Sequence, residues 1–231
     1  MPHVAGTVET AVSGGRAFQR AAGLALLLAS LWFAGHAQAA EPPAQNPRTL
    51  TYAILMDGSP VGQEQVRVQP QGDTVTVDVT ASTRVKVLFL NFRYDHERQE
   101  VWRGGTLESM RARTDDDGKP HTIEMARKGD GWSLSVDGKP ASATGTALPL
   151  TLWTPEVLKR PTLLSVIDAQ PYAVSVQALG PDTVDLGARK VAAQRHRITG
   201  GVDRDLWYAA DGTLLKAQFK RSGYDVVYLL K

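Results

Sequence analysis

The sequence lacks cysteine entirely: none of its 231 residues is a Cys. This absence excludes disulfide bonds, thiol catalysis and thiolate-bound metal ions. It also leaves no residue that could accept a lipid at a processing site, so a lipoprotein is excluded. The folded protein must therefore be held together by its hydrophobic core.

An excess of one charge is also absent. The formal net charge is +2, with 26 Lys and Arg residues against 24 Asp and Glu residues. No run of basic residues forms a patch for nucleic acid or for an anionic membrane surface. The chain has no phosphate loop, no dinucleotide fingerprint and no G-x-S-x-G motif. The sequence therefore predicts no nucleic-acid partner, no cofactor and no metal.

Only one long hydrophobic run is present, at residues 21–33. Arg16 and Arg20 precede this run, and Ala37-Gln38-Ala39 follows it as an A-x-A cleavage site. Together these features predict a secretory signal peptide at residues 1–39, with cleavage after Ala39. The run is shorter than the roughly 20 residues that a spanning helix needs, so we expect no membrane span after cleavage. The mature protein is predicted to be periplasmic.

The rest of the chain is long enough for one domain with a sizeable core. Residues 40–48 contain three prolines and predict a flexible lead-in, which leaves residues 49–231 as a single antiparallel β domain. Turn signals such as Asp57-Gly58, Gly180-Pro181-Asp182 and Asp211-Gly212 separate β-branched and aromatic segments, a pattern typical of a hairpin meander. The predicted strands are 49–56, 61–68, 74–88, 92–103, 106–114, 122–128, 132–136, 172–179, 190–199, 204–208, 214–221 and 224–230.

The segment 74–88 has the clearest strand pattern, because five valines with Ala81 and Thr83 alternate with mainly polar residues. A strand of this length spans about 50 Å and must bend within a small domain. The sequence therefore predicts an all-β fold, a strongly curved antiparallel meander sheet or open barrel with one short helix as plug. Thr154-Pro155-Glu156 marks the start of that helix, and Pro161 marks its end.

The predicted strand at residues 92–102 carries the candidate site. One of its faces is almost wholly charged, and the other bears aromatic and ionisable residues. If the second face points inward, its polar groups must pair with one another or contact a ligand. Two interpretations stay open: structural pairing of Glu100 with Arg98 and of Tyr94 with His96, or a polar patch in a cleft. The candidate ligand-binding residues are Tyr94, His96, Arg98, Glu100, Trp102 and Trp153.

Two motif-like stretches are rejected as metal sites. Residues 96–100, HERQE, are superficially similar to the H-E-x-x-H zinc motif, but the second His is replaced by Glu100. On a strand, His96 and Glu97 would also point to opposite faces. Residues 115–118, DDDG, are predicted to form an acidic hairpin turn. A calcium loop aligned there would place Arg113 where an acidic ligand is needed.

Several short motifs then carry a family resemblance. They are Tyr52-Ala53-Ile54-Leu55-Met56-Asp57-Gly58, Tyr94-Asp95-His96-Glu97, Glu100-Val101-Trp102 and Leu206-Trp207-Tyr208. In this order the chain resembles, over about residues 49–230, a family of exported bacterial proteins of the domain of unknown function 6134 type. The resemblance implies a periplasmic all-β domain, and it supplies no substrate and no catalytic residue. One departure is Thr154, where the family commonly has Asn after the tryptophan.

Three functions follow as hypotheses. The first is a binding or carrier module for a lipid or other amphiphile of the cell envelope, with the inward valines of residues 74–88 lining its pocket. The second is a structural or protein-interaction domain with a solid core, whose partner would be another envelope protein. The third is a hydrolase that uses Glu100 and His96, although an enzyme is not the favoured interpretation. A cavity beside Tyr94, His96 and Glu100 would favour the first hypothesis.

Overall fold

The computed structural model describes residues 46–87 and 90–231. The predicted signal peptide at residues 1–39, together with most of the predicted lead-in, lies outside the described residues. Within the two described ranges, no helix is long and apolar enough to cross a membrane.

Short turns with left-handed residues link most of the strands. Asp57-Gly58 and Asp117-Gly118 both take positive φ values, as two-residue hairpin turns require. The second pair confirms a hairpin turn at the predicted position, formed by Asp117 and Gly118, whereas Asp115 and Asp116 are the last residues of β5. The strands are β1 Arg48–Met56, β2 Ser59–Gln71, β3 Thr74–Val87, β4 Leu90–Arg103, β5 Thr106–Asp116, β6 Lys119–Lys128, β7 Gly131–Val136, β8 Lys139–Ala141, β9 Leu148–Pro149, β10 Thr162–Leu164, β11 Pro171–Asp185, β12 Lys190–Gly200, β13 Arg204–Tyr208, β14 Leu214–Arg221 and β15 Tyr224–Leu230.

All these strands belong to one sheet, in the order β8-β7-β6-β5-β4-β3-β2-β1-β15-β14-β13-β12-β11-β10-β9. The chain begins in the middle of the sheet and runs by hairpins to the β8 edge. It resumes at the β9 edge and returns, so that β1 pairs with β15. The pairing is antiparallel throughout except between β9 and β10. Among the described strands β8 and β9 do not pair, so the sheet is not closed.

The sheet is strongly curved, as one ion pair demonstrates. Arg221 on β14 donates to Asp116 on β5 at 3.0 Å, although six strand-to-strand steps separate β5 from β14. In a flat sheet, six steps of about 4.8 Å would place these strands about 29 Å apart. The sheet therefore bends around an inner face, which confirms the prediction of a strongly curved sheet or open barrel.

Residues 142–170, here named the crossing segment, lie against the inner face and contain β9 and β10. On one side the Trp153 indole donates to Glu100 of β4 at 2.8 Å. On the other side the Tyr208 hydroxyl of β13 contacts the carbonyl oxygens of Leu152 and Thr154, at 3.0 and 3.3 Å. Consecutive residues of this segment thus connect two distant parts of the sheet.

Two hydrophobic clusters occupy the inner face. The larger cluster joins strands from both halves of the sheet to Leu148, Val157 and Leu163 of the crossing segment. The smaller cluster contains side chains of β5, β6 and β7, together with Ala147 and Leu164. Because the crossing segment contributes to both clusters, its packing and the curvature of the sheet stabilise each other.

All twelve predicted strands are present, and several extend beyond their predicted ends. On β3 the alternation is as predicted, with Val77 and Val79 buried and Arg84 and Lys86 exposed. The last residue of the predicted 74–88 strand lies outside the described residues. Strands β8, β9 and β10 were not predicted because segments of two or three residues carry no period-two pattern.

The predicted turn at residues 180–182 is wrong, because β11 continues through it. The ladder between β11 and β12 shifts register between Ala178 and Gly180, and Gly180 has a φ of 91°. Glycine supplies the left-handed residue that this bulge requires. Pro181 is tolerated because this part of β11 pairs on one side only, with β12, so its missing N–H breaks no ladder.

The predicted short helix is a single 3₁₀ turn, at Pro155–Lys159. Its start follows the prediction, since the Thr154 hydroxyl accepts a hydrogen bond from the Glu156 N–H at 3.4 Å. Arg160 already returns to an extended conformation, which residues before a proline such as Pro161 favour. A run this short cannot propagate the hydrogen bonds of an α-helix.

Candidate functional site

The inward face of β4 is the one that the sequence predicts. Glu97 is exposed on the opposite face, so it cannot act together with His96 as a zinc motif would require. A curved sheet directs one face of every strand inward, which is why alternate residues of this charged strand are removed from water. The buried inward residues of β4 are Tyr94, His96, Arg98, Glu100 and Trp102.

Arg98 makes three side-chain contacts that together engage its whole guanidinium group. Its Nε donates to Glu100 Oε1 at 2.7 Å, the ion pair that one interpretation of the sequence predicts. Its Nη1 lies 3.0 Å from His96 Nε2. Its Nη2 donates to the Thr151 hydroxyl of the crossing segment at 3.3 Å. The buried cation is therefore paired and hydrogen-bonded, as a charge in a protein interior must be.

Glu100 is completely buried at the centre of this network. Its second oxygen, Oε2, accepts the indole N–H groups of Trp102 and Trp153, both at 2.8 Å. The two indole rings also pack edge to face, with centroids 5.5 Å apart. These contacts tie β4 to the crossing segment through one carboxylate.

The His96 ring is fixed in one tautomer by its neighbours. An arginine can only donate, so Nε2 must accept from Arg98, and Nδ1 must donate to the Thr114 hydroxyl at 2.8 Å. Burial, with the nearby Arg98 charge, lowers the pKa of His96 from 6.5 to about 3. Between pH 6.5 and about pH 3, His96 therefore binds a proton in the unfolded chain but not in the folded chain. His96 therefore makes the domain less stable as the pH falls through that window.

A cavity of about 400 Å³ adjoins this network on the inner face. Tyr94, His96 and Arg98 line it. Glu100, Trp102 and Trp153 do not line it, and Trp102 and Trp153 pack into the larger hydrophobic cluster behind it. Larger depressions of about 580 and 690 Å³ lie along the outward side of the sheet, where mainly outward-facing residues of strands β3 to β8 line them. We take the inner cavity as the candidate site because ionisable groups converge on it.

Glu64 of β2 lines the same cavity as this network. It pairs in register with Ala81, which in turn pairs with His96, so a single small residue separates Glu64 from the predicted site. Glu64 makes no hydrogen bond or ion pair with another described residue. Burial raises its pKa from 4.5 to about 7, with Arg98 opposing and Glu100 reinforcing the shift. Perturbed carboxyl groups in cavities are typical of functional sites.

The opposite wall of the cavity carries a stacked cation. The Arg204 guanidinium lies 3.7 Å from the centroid of the Phe219 ring, and the Tyr228 ring packs 5.9 Å from Phe219. Within the described ranges, Arg204 has no carboxylate partner and donates only to the Asp203 carbonyl oxygen at 2.8 Å. Burial lowers its pKa to about 10, so it stays charged at neutral pH.

The remaining lining residues fall into two groups. Asp116 and Arg221 form the ion pair that joins β5 to β14, and both are partly exposed. The crossing segment supplies the apolar part of the wall. Its apolar lining side chains are Leu150, Leu152, Val166 and Ile167, and it also contributes Ser165 and the exposed Asp168.

The valines of β3 do not line this cavity, contrary to the expectation from the sequence. Val77 and Val79 are 0% and 1% exposed and pack into the larger cluster with the crossing segment. Sequence reasoning also missed Glu64, Arg204 and Phe219. A usable signal existed for Glu64, because residues 62, 64, 66 and 68 alternate as the inward face of β2 in the same way as those of β4.

Replacing Glu64 with Gln is expected to stabilise the domain by about 1–2 kcal/mol at pH 8, because an unpaired carboxylate no longer loses hydration. The raised pKa means that the folded state binds the extra proton between pH 4.5 and about 7, so the wild-type penalty appears as the pH rises through that window. Urea unfolding of both proteins from pH 4 to pH 8 measures the difference. A gain that does not vanish near pH 4 would contradict this explanation.

An open, strongly curved antiparallel sheet with a cavity on its inner face defines this molecule as a β-barrel-like domain. The chain belongs to the family described as Domain of unknown function (DUF6134), whose model matches residues 52–231. Comparison with the curated proteins gives no match. A similar solved structure is the crystal structure of a β-barrel-like protein of domain of unknown function DUF1849 from Brucella abortus. It has a TM-score of 0.60 and 12% identity, covering 80% of this chain and 95% of that one. The likeness supports the fold.

Proposed function

We propose that this domain binds a small amphiphile in the inner cavity. The observation that carries the proposal is the contrast between the two walls. The crossing segment contributes mainly aliphatic side chains such as Leu152 and Ile167, together with Ser165 and Asp168, whereas the sheet contributes mainly charged and aromatic ones such as Glu64 and Arg204. A molecule with one apolar and one polar part satisfies both walls. The cavity volume of about 400 Å³ suits a small ligand.

The polar groups in the cavity also favour an amphiphile over a purely apolar ligand. The Glu64 carboxylate and the Tyr94 and Tyr228 hydroxyls make no hydrogen bond to another described residue. Covering these groups with a hydrocarbon alone would leave them without partners, at a cost of about 1–3 kcal/mol for each. A ligand with a polar head can satisfy them while its chain contacts the aliphatic wall.

The proposed ligand is an envelope lipid or a related amphiphile, because we further propose that the protein is exported to the periplasm. The features of residues 1–39 support export. N-terminal sequencing of the mature protein from a periplasmic extract is expected to begin at Ala40. Retention of the full chain in the cytoplasm would contradict this part of the proposal.

Filling the cavity tests the binding function. Native mass spectrometry of the domain purified from a cell extract is expected to show a bound species of lipid mass. Val166→Trp places a large side chain in the cavity wall and is expected to remove that species. The same variant should abolish the rise in melting temperature that lysophospholipid or fatty acid produces in the wild type.

Ala192→Trp is the matched control, because Ala192 is exposed on β12 away from the cavity. It should keep both the bound species and the thermal shift. A wild-type protein that stays ligand-free and shows no shift with either amphiphile would count decisively against the proposed function. Equal loss in both tryptophan variants would also count against it, since the loss would then not depend on the cavity.

A second candidate is a structural or protein-interaction domain of the envelope. The observation that favours it is the complete pairing of the Arg98 and Glu100 charges within the protein. Glu100, the carboxylate that the hydrolase hypothesis names, is buried behind the cavity and does not line it, so it could not reach a substrate bound there. A structural domain would purify without ligand, so the mass measurement separates the two candidates.

A further inference from the structure

The inner cavity carries opposite charges on two groups of strands, here named its first end (β2 and β4) and its second end (β13 and β14), which β1 and β15 separate in the sheet. At the first end, Arg98 and Glu100 neutralise each other, and Glu64 remains as an unmatched negative charge. At the second end, Arg221 is matched by Asp116, and Arg204 remains as an unmatched positive charge. Lys220 also lines this end, but it pairs with Asp225 at 2.8 Å. Asp168 of the crossing segment lines the cavity too; it has no ion-pair partner among the described residues, but its side chain is exposed and therefore hydrated.

The aromatic rings lie between these two charges. Tyr228 packs against Phe219, which carries Arg204 on its ring. Burial raises the pKa of the Tyr228 hydroxyl, Glu64 raises it further, and Arg204 lowers it. Glu64 and Arg204 therefore shift the pKa of the same phenol in opposite senses. Tyr94 and Tyr228 are the aromatic residues whose pKa values Glu64 raises, and their rings suit an ammonium group, which binds over aromatic faces.

We propose that the amphiphile bound in this cavity carries a zwitterionic head group, with its cationic part at Glu64 and its anionic part at Arg204. This inference rests on the proposed function and adds the chemical class of the ligand. A purely anionic head group could pair with Arg204 but would leave Glu64 without a partner. A purely cationic head group could pair with Glu64 but would leave Arg204 without a partner. Only a head with both charges neutralises both ends of the cavity.

The test uses four twelve-carbon amphiphiles below their critical micelle concentrations, in isothermal titration calorimetry at pH 8. They are dodecylphosphocholine, dodecyl phosphate, dodecyltrimethylammonium and dodecyl maltoside. The zwitterion is expected to bind at least about tenfold more tightly than each of the other three, since each unmatched charge costs affinity. Phosphocholine without the chain is the fifth ligand, and it is expected to bind far more weakly.

Two charge-removing variants test which end binds which charge. Glu64→Gln is expected to weaken dodecylphosphocholine about tenfold and to strengthen dodecyl phosphate. Arg204→Gln is expected to weaken dodecylphosphocholine by a similar factor and to strengthen dodecyltrimethylammonium. Glu97→Gln and Arg103→Gln remove exposed charges from the outward face of β4 and serve as controls that should change nothing. Thermal melts of each variant confirm that it is folded.

The outcomes separate the two levels of the proposal. If none of the amphiphiles binds, the proposed function fails. If phosphocholine alone binds as tightly as dodecylphosphocholine, the hydrocarbon chain adds nothing to binding. The proposal of an amphiphilic ligand then fails, but the recognition of a zwitterion stands. The zwitterion inference fails, while the binding function stands, if dodecyl phosphate or dodecyltrimethylammonium binds as tightly as dodecylphosphocholine and Glu64→Gln does not change the relative affinities of these ligands.

Discussion

Replacing Arg98 with Met is expected to destabilise the domain by about 3–5 kcal/mol, one of the two largest effects predicted for this chain. Methionine fills a similar volume but leaves the Glu100 carboxyl group without its cationic partner at a position with 0% exposure. It also removes the donors to His96 and Thr151. The two indole N–H groups at Glu100 cannot replace a full positive charge. Urea unfolding at pH 7 measures the loss.

The matched control is Arg84→Met. Arg84 on β3 pairs with Asp95 of β4 at 2.7 Å on the outward face, where the two side chains are 53% and 41% exposed. Water screens that ion pair, so the same substitution should cost less than about 1 kcal/mol. A cost of 1 kcal/mol or less for Arg98→Met would contradict the importance of the buried network.

A double-mutant cycle then measures the coupling between the two charges. Arg98→Met combined with Glu100→Gln removes both charges at once, so no uncompensated ion remains in the core. The double variant is expected to lose at least about 2 kcal/mol less stability than the sum of the two single variants. Additive losses would show that the two side chains act independently, which the 2.7 Å contact does not allow.

Much of the fold follows from the sequence because the signals that determine it are local. Alternation along β3 and β4 depends on neighbouring residues only, and glycine pairs mark the hairpin turns. The parts that were missed depend on tertiary context. Pro181 breaks no ladder only because that part of β11 pairs on one side, and β9 and β10 exist only because the crossing segment meets the sheet edge.

The candidate site was predicted only in part, for a related reason. The β4 alternation identifies Tyr94, His96 and Arg98, which do line the cavity. It cannot separate them from Glu100, because all four share one face of the strand, and the cavity edge is set by the packing of the crossing segment. Arg204 reaches the site through the curvature of the sheet, which brings β13 and β14 towards β4 without leaving a mark on any one strand.

The buried network supports the wall of the cavity. Glu100 holds the crossing segment through Trp153, and this contact fixes the two neighbours of Trp153, which are Leu152 and the N-cap residue Thr154. Leu152 belongs to the aliphatic wall of the cavity. Glu100, which does not line the cavity, therefore has a positioning role, because it fixes the wall that the proposed ligand would contact.

Replacing Trp153 with Ala is the second change of large expected effect, with a loss of about 3–4 kcal/mol. The indole packs against Trp102 and donates to Glu100, so truncation removes both the ring contact and a charge-assisted hydrogen bond. Because these contacts attach the crossing segment to β4, amide hydrogens at residues 148–154 should exchange faster in the variant than in the wild type. The exchange of amide hydrogens in β14 and β15 serves as the reference within the same protein. Binding of the amphiphile should weaken together with this loosening, since Leu152 loses its fixed position.

Two further variants separate the parts of that effect. Trp153→Phe keeps an aromatic ring and removes only the N–H donor, so it is expected to cost about 1–2 kcal/mol. Tyr224→Ala removes an aromatic side chain that is 39% exposed on β15 and should cost less than about 1 kcal/mol. A loss in Trp153→Phe equal to that in Trp153→Ala would assign the whole effect to the hydrogen bond at Glu100. Unchanged exchange at residues 148–154 in Trp153→Ala would instead show that the crossing segment is held by Tyr208 and the hydrophobic clusters without Trp153.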